Sequence, residues 1–408
     1  MQDTVYDVLI IGAGASGLIC ARECAHKGLR TLLVEKEALP GRKILASGNG
    51  RCNFTNRYVA PNYYHGDGKL LTTVLHQFPF EKCVSYFQDL GIPVHEEENG
   101  RFFPSTGKAT AILEPLKLAV LESGAELRTQ CEIVRITKGN PLTAHTQYNE
   151  KIIARHIVLA CGSCAYPQLS GTNSGYQLAR QLGHTILPAR PALSALCLKE
   201  KACARLAGIR IQGRLQVWDG EKQVDSCEGE ILFTSYGISG PATLNISSTI
   251  SRLIDKGEIH LTLDFFPQTE DMSALLTQRL SKFGSRKPKD FFAGMLHENI
   301  TNLLIDFSGL RKNLPMMEQP PQTIQQIART LKQWPLTVLA LRPWSEAMVT
   351  LGGVKLPEIN YNTLESLRCP HVFITGELLD VTGKSGGFNL HFAWASGFVA
   401  AHHLAAKE

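Results

Sequence analysis

The stretch HIVLACGSCAYP, from His156 to Pro167, carries two thiols, Cys161 and Cys164, separated by Gly162 and Ser163. That spacing admits a redox dithiol, half of a structural zinc site, or a strand end whose thiols are incidental to a group bound nearby. A redox pair gains from a helix N-terminus that lowers the first thiol's pKa, whereas this pair follows an apolar run and leads into Tyr166-Pro167. A zinc site needs about four ligands, and no second CxxC and no HxxxH occurs in the sequence. The strand-end reading is the expected one, with no metal, and it raises the question of what the strand serves.

The amino end supplies an answer. Residues VYDVLII make a β-branched run of strand length that leads into Gly12-Ala13-Gly14-Ala15-Ser16-Gly17 and then a helical pattern through Lys27. This is GxGxxG in the context it needs. Gly12 permits the tight turn, Gly14 lets backbone approach a pyrophosphate, and Gly17 with Ala21 lets helix and sheet pack closely, while the helix N-terminus attracts phosphate. Gly28 closes the helix as a C-cap does. A second strand, LRTLLVE, ends in Glu35, where a carboxylate accepts hydrogen bonds from ribose hydroxyls. The ligand is a dinucleotide, NAD or FAD on these residues alone.

The segment GRKILASGNGRCNFTN, Gly41 to Asn56, is too glycine-rich and polar for an ordinary crossover helix. It reads as a loop along an extended cofactor, with Arg42, Lys43, Ser47, Gly48, Gly50, Arg51 and Cys52 facing phosphates and ring oxygens. Near the carboxyl end, HVFITGE is a short buried strand ending in Gly376-Glu377, followed by LLDVTGKSGGFN and a helix of small residues. Gly386, Gly387, Phe388 and Asn389 stand where helix-end amides would meet negative charge on a ligand.

The remaining composition is that of an ordinary globular chain. At 408 residues, 44% hydrophobic and 19% charged, it is long enough for two or three domains. A net charge of +5 gives little ground for a nucleic-acid partner. The start, MQDTVYDVLII, lacks the basic segment of a secretory leader, and glycines soon break its apolar stretch. Eleven cysteines without regular spacing suggest reduced thiols and a cytoplasmic location. From Pro191 to about Phe266, short alternating runs (GIRIQGRLQVWDG, EGEILFTSYG, GEIHLTLDFFP) predict antiparallel strands, and residues 271 to 342 carry helical periodicities. MVTLGGV then brings the chain back to the sheet, with Gly352-Gly353 expected to let backbone approach the cofactor.

Two basic clusters, Lys199, Lys201, Arg205, Arg210 and Arg214 in the 199–214 segment and Lys282, Arg286, Lys287 and Lys289 in the 282–289 segment, would engage RNA phosphates if they shared a face. The alternative is a solvated charged surface. GRFFPSTGKA, Gly100 to Ala109, borders the cofactor or is a packing loop.

In this order, GRKILASGNGRCNFTN, GEILFTSYGISGPATLN (229 to 245), MVTLGGV (348 to 354) and GELLDVTGKSGGFNLHFAWASG (376 to 397) resemble the BaiN/YhiN-like family of bacterial NAD(P)/FAD-dependent oxidoreductases, aminoacetone-oxidase-like flavoproteins. The resemblance covers nearly the whole chain. It implies an α/β fold: a two-piece Rossmann-like FAD-binding domain (1–190 and 343–408), an inserted β-rich, barrel-like domain (191–268) and a small helical unit (269–342). Gly376-Glu377 resembles the second FAD fingerprint, in which the acid binds a ribityl hydroxyl and the next helix points at the flavin pyrimidine. Ala160-Cys161-Gly162-Ser163 stands where such families carry Ala-Thr-Gly-Gly, with Cys161 for threonine. Phe388 stands for a common tyrosine and His391 for a common glutamine; a protonated His391 would favour anionic reduced flavin. The expected cofactor-lining set also includes Lys36, Ile133, Asp380 and Leu390.

The resemblance implies FAD chemistry with NADH or NADPH as a transient electron donor, since no second GxGxxG appears. It points to reduction of an activated C=C bond of a small molecule, or of a uridine in ribosomal RNA. A small-amine oxidase and a flavin-binding protein without turnover are the other readings. Expected proton donors are Cys52, with Arg51 tuning its thiol, and Tyr166, with Tyr236 a further candidate. Oligomeric state is not specified by any of these features, and no membrane association is expected.

Overall fold

The run VYDVLII forms the strand Val5–Ile11, in which Val8, Leu9 and Ile10 are fully buried. Burial on both faces is the condition of a parallel strand covered by helices on each side, and it explains a continuous apolar run where a half-exposed strand would alternate. The computed structural model describes residues 4–406. Met1–Asp3, part of the start judged unlike a secretory leader, lie outside the described residues.

The chain divides into two compact units, residues 1–190 with 347–408, and residues 191–346. The first is built on a seven-stranded sheet. Val5–Ile11 is flanked in parallel by Thr31–Val34 and Lys151–Leu159; Glu126–Arg128 lies outside the former and Val372–Ile374 beside the latter, also parallel. The first half of Lys151–Leu159 instead takes Leu142–Thr146 as an antiparallel partner, so only its second half meets Val372–Ile374. All five parallel strands therefore end on one edge, where a doubly wound sheet binds its ligand.

The helices Ala15–His26 and Phe388–Ala405 cross with Gly397 against Ser16: a Cβ on Gly397 would lie 2.2 Å from the Ser16 carbonyl oxygen. The latter helix is buried along most of its length, as its small-residue composition requires for close packing. Val349–Val354 pairs with Ile186–Ala192 in a small separate sheet.

In the second unit, six strands close a barrel: Leu196–Leu198, Gly237–Ser239, Lys222–Thr234, Arg210–Asp219, Ile259–Asp264 and Trp334–Leu341. Trp334–Leu341 falls where the sequence suggests helix. Trp334, Leu336 and Val338 are buried and alternate with less buried residues, a period of two that the neighbouring helical pattern masks. The helices between residues 272 and 332 are thus carried between two barrel strands. No helix of the described residues is long and apolar enough to cross a membrane.

Candidate functional site

Three glycines at the end of Val5–Ile11 have different surroundings. At Gly12 (φ +106°) a Cβ would lie 2.5 Å from the Ala160 carbonyl oxygen, and at Gly17 it would lie 1.9 Å from that of Gly12. At Gly14 nothing lies within 4 Å of it. Two of the glycines are held by packing, and one fronts open space beside helix Ala15–His26, whose N-terminus no side chain caps. Ser16 accepts a hydrogen bond from the Thr375 hydroxyl at 3.2 Å, linking this turn to the carboxyl-terminal piece of the unit.

Glu35 follows Thr31–Val34 with its carboxylate fixed by two backbone amides, Ala13 N donating to Oε2 (2.8 Å) and Glu37 N to Oε1 (3.1 Å). Each oxygen keeps a lone pair for a ribose hydroxyl. Lys36 Nζ stands 3.9 Å from Glu37.

The segment read as a loop begins as a helix, Arg42–Gly50, which leaves helical geometry at Ser47, Gly48 and Asn49. Good helix formers occupy its first five positions, with Ile44 buried, and the glycines act only after them. Arg42 and Lys43, expected on phosphates, meet carboxylates. Arg42 Nη1 lies 3.3 Å from both Glu37 Oε2 and Ser170 Oγ, and Nη2 donates to the Gln168 carbonyl at 2.8 Å. Lys43 Nζ is 2.7 Å from Glu377 Oε2, and Glu377 Oε1 accepts from Thr350 N at 3.0 Å. Asp380 accepts from Gly352 N at 3.0 Å. Gly50 (φ +80°) closes the segment.

The expected tuning of Cys52 by Arg51 is corrected. Arg51 pairs with Glu97 and lies over the Phe103 ring at 4.3 Å. Cys52 is fully enclosed, and burial pushes its thiol up to about 12, opposed only by a hydrogen bond from Ser47.

The CxxC thiols are both free. Cys161 Sγ donates to the Ile11 carbonyl at 3.4 Å and Cys164 Sγ to Asn173 Oδ1 at 2.6 Å. Burial, with Glu35 nearby, pushes Cys161 up to about 12; burial, with Glu377 nearby, raises Cys164 as well. Neither thiol is activated, and the segment runs from one carboxylate toward the other. Between them Gly162 (φ +70°) faces open space as Gly14 does. Tyr166 (φ +55°) is half-buried at the start of the turn Pro167–Leu169. Tyr236 belongs to the other unit, under the Arg342 guanidinium at 4.3 Å.

At the carboxyl end, Gly386 (φ +118°) and Gly387 (φ +100°) lead into Phe388–Ala405, again with no side-chain cap. Phe388 stacks on Tyr63 at 4.7 Å, Asn389 pins Gly383 through both ends of its carboxamide at 2.8 Å, and Leu390 is half-buried. His391 is not the protonated group the sequence allows. Its Nε2 donates to the Phe78 carbonyl (3.0 Å), so Nδ1 accepts from the Thr55 hydroxyl (2.8 Å), and burial lowers its pKa to about 4. It is neutral at pH 7.

One other expectation shifts. Gly352 and Gly353 (φ +83° and +138°) admit protein backbone: Cβ atoms there would lie 2.3 Å from Pro188 O and 2.7 Å from Leu378 O. Ile133 is buried at the start of the strand Ile133–Thr137. A set of hydroxyls escaped the sequence reading. Thr350 donates to Ser163 (2.8 Å), Thr382 to the Thr350 carbonyl (2.8 Å), and Ser396 accepts from Gly376 N (2.9 Å). Hydroxyl residues inside apolar strands, as in MVTLGGV, were the available signal.

These features fit a dinucleotide: open space at Gly14 and Gly162, two uncapped helix N-termini for anionic groups, and a fixed carboxylate for a ribose. Among the described residues no three His, Cys, Asp or Glu side chains gather as a metal site.

The HI0933-like protein Rossmann domain matches residues 6–403. Over 407 residues, 98% of each protein, the chain is 33% identical to the 3-dehydro-bile acid delta(4,6)-reductase of Clostridium scindens. It is 29% identical, over 99% of each, to the ribosomal RNA dihydrouridine synthase of Escherichia coli. Among solved structures, the 3-ketosteroid delta1-dehydrogenase of Sterolibacterium denitrificans aligns over 99% of this chain and 100% of its own with a TM-score of 0.54 and 13% identity, a likeness of fold. With its sheet, its glycine turn and this end-to-end match, the chain belongs to the HI0933-like Rossmann family and is an FAD-dependent oxidoreductase.

Proposed function

We propose that the protein reduces an activated carbon–carbon double bond of a small, largely apolar substrate, with NADH or NADPH as the transient electron donor. The observation that carries the reading is the N-terminus of Phe388–Ala405, uncapped and preceded by two left-handed glycines, beside a histidine held neutral. Its amides and dipole favour the negative charge that reduction places on a bound ring. FAD, when bound, supplies the hydride chemistry. Glu35 would orient the ribose, Glu377 with its partner Lys43 would meet the middle of the cofactor from one side, and the open faces of Gly14 and Gly162 would admit its phosphates.

Similarity along the full chain to a bile-acid reductase supports a conjugated enone on a flat apolar scaffold as the substrate class. The charges support a small molecule over RNA. Lys199, Arg205, Arg210, Arg214 and Lys289 each sit on a carboxylate, of Glu258, Asp306, Glu230, Glu228 and Glu298 respectively, which leaves less of the two clusters for phosphates. Of the two expected proton donors, Cys52 is sealed and the role falls to the half-buried Tyr166.

The test is an anaerobic absorbance titration with NADH, then NADPH, followed by a steroid enone. Bleaching by either nucleotide and reoxidation by the enone is expected; a flavin band unmoved by both nucleotides would end the nicotinamide reading. Tyr166→Phe is expected to slow reoxidation by about two orders of magnitude with flavin reduction intact. Wild-type reoxidation in that variant removes Tyr166 from proton delivery. A second reading, reduction of a ribosomal RNA uridine, is favoured by the Escherichia coli relative. It is tested by offering ribosomal RNA as the acceptor, and by charge reversal at Lys282, Arg286 and Lys287.

A further inference from the structure

The tripeptide Gly41-Arg42-Lys43 is bonded to segments that leave four adjacent parallel strands. Gly41 N donates to the Ala13 carbonyl at 2.9 Å, just past Val5–Ile11. Arg42 reaches Glu37, past Thr31–Val34, and also Gln168 and Ser170, in the segment that follows Lys151–Leu159. Lys43 reaches Glu377, past Val372–Ile374. Because Val5–Ile11 lies between Thr31–Val34 and Lys151–Leu159, the bonds of Arg42 run from one neighbour of the glycine turn to the other. Arg42 Nη1 meets Glu37 and Ser170 at the same 3.3 Å, so one guanidinium draws the two turns together beside the glycine turn, where a dinucleotide's pyrophosphate meets a helix N-terminus.

The segment that Arg42 holds is strained. Tyr166 and Ser170 are non-glycine residues with φ of +55° and +81°, left-handed conformations that persist only where surrounding bonds impose them. The turn closes through its own backbone, with Leu169 N and Gly171 N donating to the Tyr166 carbonyl at 2.8 and 3.1 Å, and Arg42 ties the closed turn down through the Gln168 carbonyl and the Ser170 hydroxyl. The Arg42–Glu37 pair itself is one-third exposed on each side. Pairs that solvated contribute little to the stability of the fold and exchange readily with water. A tie of this kind opens without unfolding what it joins.

We propose that Arg42 is a clasp across the cofactor groove, joining the Glu37 turn to the 166–170 turn and setting how fast FAD enters and leaves more than how tightly it binds. This rests on the FAD reading. Arg42 acts as a positioning residue: its fork holds one wall of the groove to the other, and release of the 166–170 turn opens the groove.

The experiment is stopped-flow measurement of FAD association with protein stripped of flavin, and of FAD release from the holoenzyme into excess flavin-binding apoprotein. In Arg42→Ala both rates are expected to rise about tenfold, with Kd within about twofold of wild type, the signature of a gate. The melting temperature of the flavin-free protein is expected to stay unchanged. Arg42→Lys, which keeps the charge and loses the fork, is expected to behave like Arg42→Ala, and Ser170→Ala to show a smaller rise in both rates. A rise in release with association unchanged would make Arg42 a direct ligand of the phosphates and overturn the clasp. Wild-type rates in Arg42→Lys or Ser170→Ala would also overturn it. Failure of the wild-type protein to take up FAD overturns the cofactor reading itself, which separates that failure from failure of the clasp.

Discussion

The charges at the carboxyl edge of the parallel sheet and those on the barrel differ in what holds them. Glu35 is oriented by two backbone amides, and Glu377 by one amide and Lys43. On the barrel, Arg210 and Glu230 are 63% and 33% exposed, and Lys199 and Glu258 63% and 50% exposed. An amide fixed in a turn keeps its direction when a ligand arrives, whereas two solvated side chains rearrange at little cost. The carboxylates of the sheet edge are therefore preorganised, and the barrel carries its charge on a solvated surface.

Glycines give the sharpest way to break that comparison. Gly12→Val places branched carbon against the Ala160 carbonyl at a φ that valine does not adopt. The expected cost is several kcal/mol, with loss of bound flavin. Gly220, in the barrel hairpin, has φ +60° but nothing within 4 Å of its Cβ position. Gly220→Ala is expected to cost only about 1 kcal/mol, the local price of a left-handed residue, with flavin retained. Urea midpoints and the flavin absorbance of purified protein read both. Equal costs would show that backbone conformation, and not the crowding at the sheet edge, decides.

Acid provides a second contrast. His391 is buried neutral, with a pKa lowered to about 4 from 6.5. Between pH 6.5 and 4 the unfolded chain binds a proton that the folded chain does not, so stability rises with pH across that window and is complete above 6.5. The contribution is on the order of 3 kcal/mol. Glu23, half-ringed by Arg22 and His402, is lowered to about 2 from 4.5, so its contribution is present above 4.5 and is lost as pH falls toward 2. In His391→Gln the loss between pH 6.5 and 4 is expected to shrink while the steeper loss below 4.5 remains, as read by thermal melts across pH. An unchanged profile would mean that His391 titrates alike folded and unfolded.

What the sequence discloses here follows from range. The glycine turn, Glu35 and the strand-end CxxC are legible because each is local: strand, turn and helix lie within a few residues, and the chemistry of each residue sets its place. The role of Arg42 is not, because its partners Gln168 and Ser170 lie 126 and 128 residues away. Gly352 and Gly353 show the same limit. A Gly-Gly pair announces a close approach of backbone, but only the fold shows that Pro188 and Leu378, and not a ligand, make it. Cys52 shows a related limit. Adjacency to Arg51 in sequence does not bring the guanidinium to the thiol, since Arg51 is drawn to Glu97 and the face of Phe103. Trp334–Leu341 was obscured by a helical pattern on its amino side, and its own alternation is legible once the barrel supplies an inside and an outside.

The smallest effect is expected on the barrel surface. Arg214 Nη2 lies 2.8 Å from Glu228 Oε2 across the hairpin, each side chain 39% exposed, and Gln268 donates to the other oxygen of Glu228 at 2.6 Å. Those contacts hold the Glu228 carboxyl below the usual range. Exposure screens the pair, so a double-mutant cycle through Arg214→Ala and Glu228→Ala is expected to give a coupling of about 0.2–1 kcal/mol, falling with added salt. Flavin content and enone turnover are expected to stay at wild-type levels in all three variants. If Arg214→Ala instead lowers affinity for ribosomal RNA while Glu228→Ala raises it, the pair is a phosphate contact that the carboxylate restrains, and the barrel is a recognition surface. A coupling that is small, sensitive to salt and indifferent to RNA leaves the barrel's charges to solubility and the chemistry to the sheet edge.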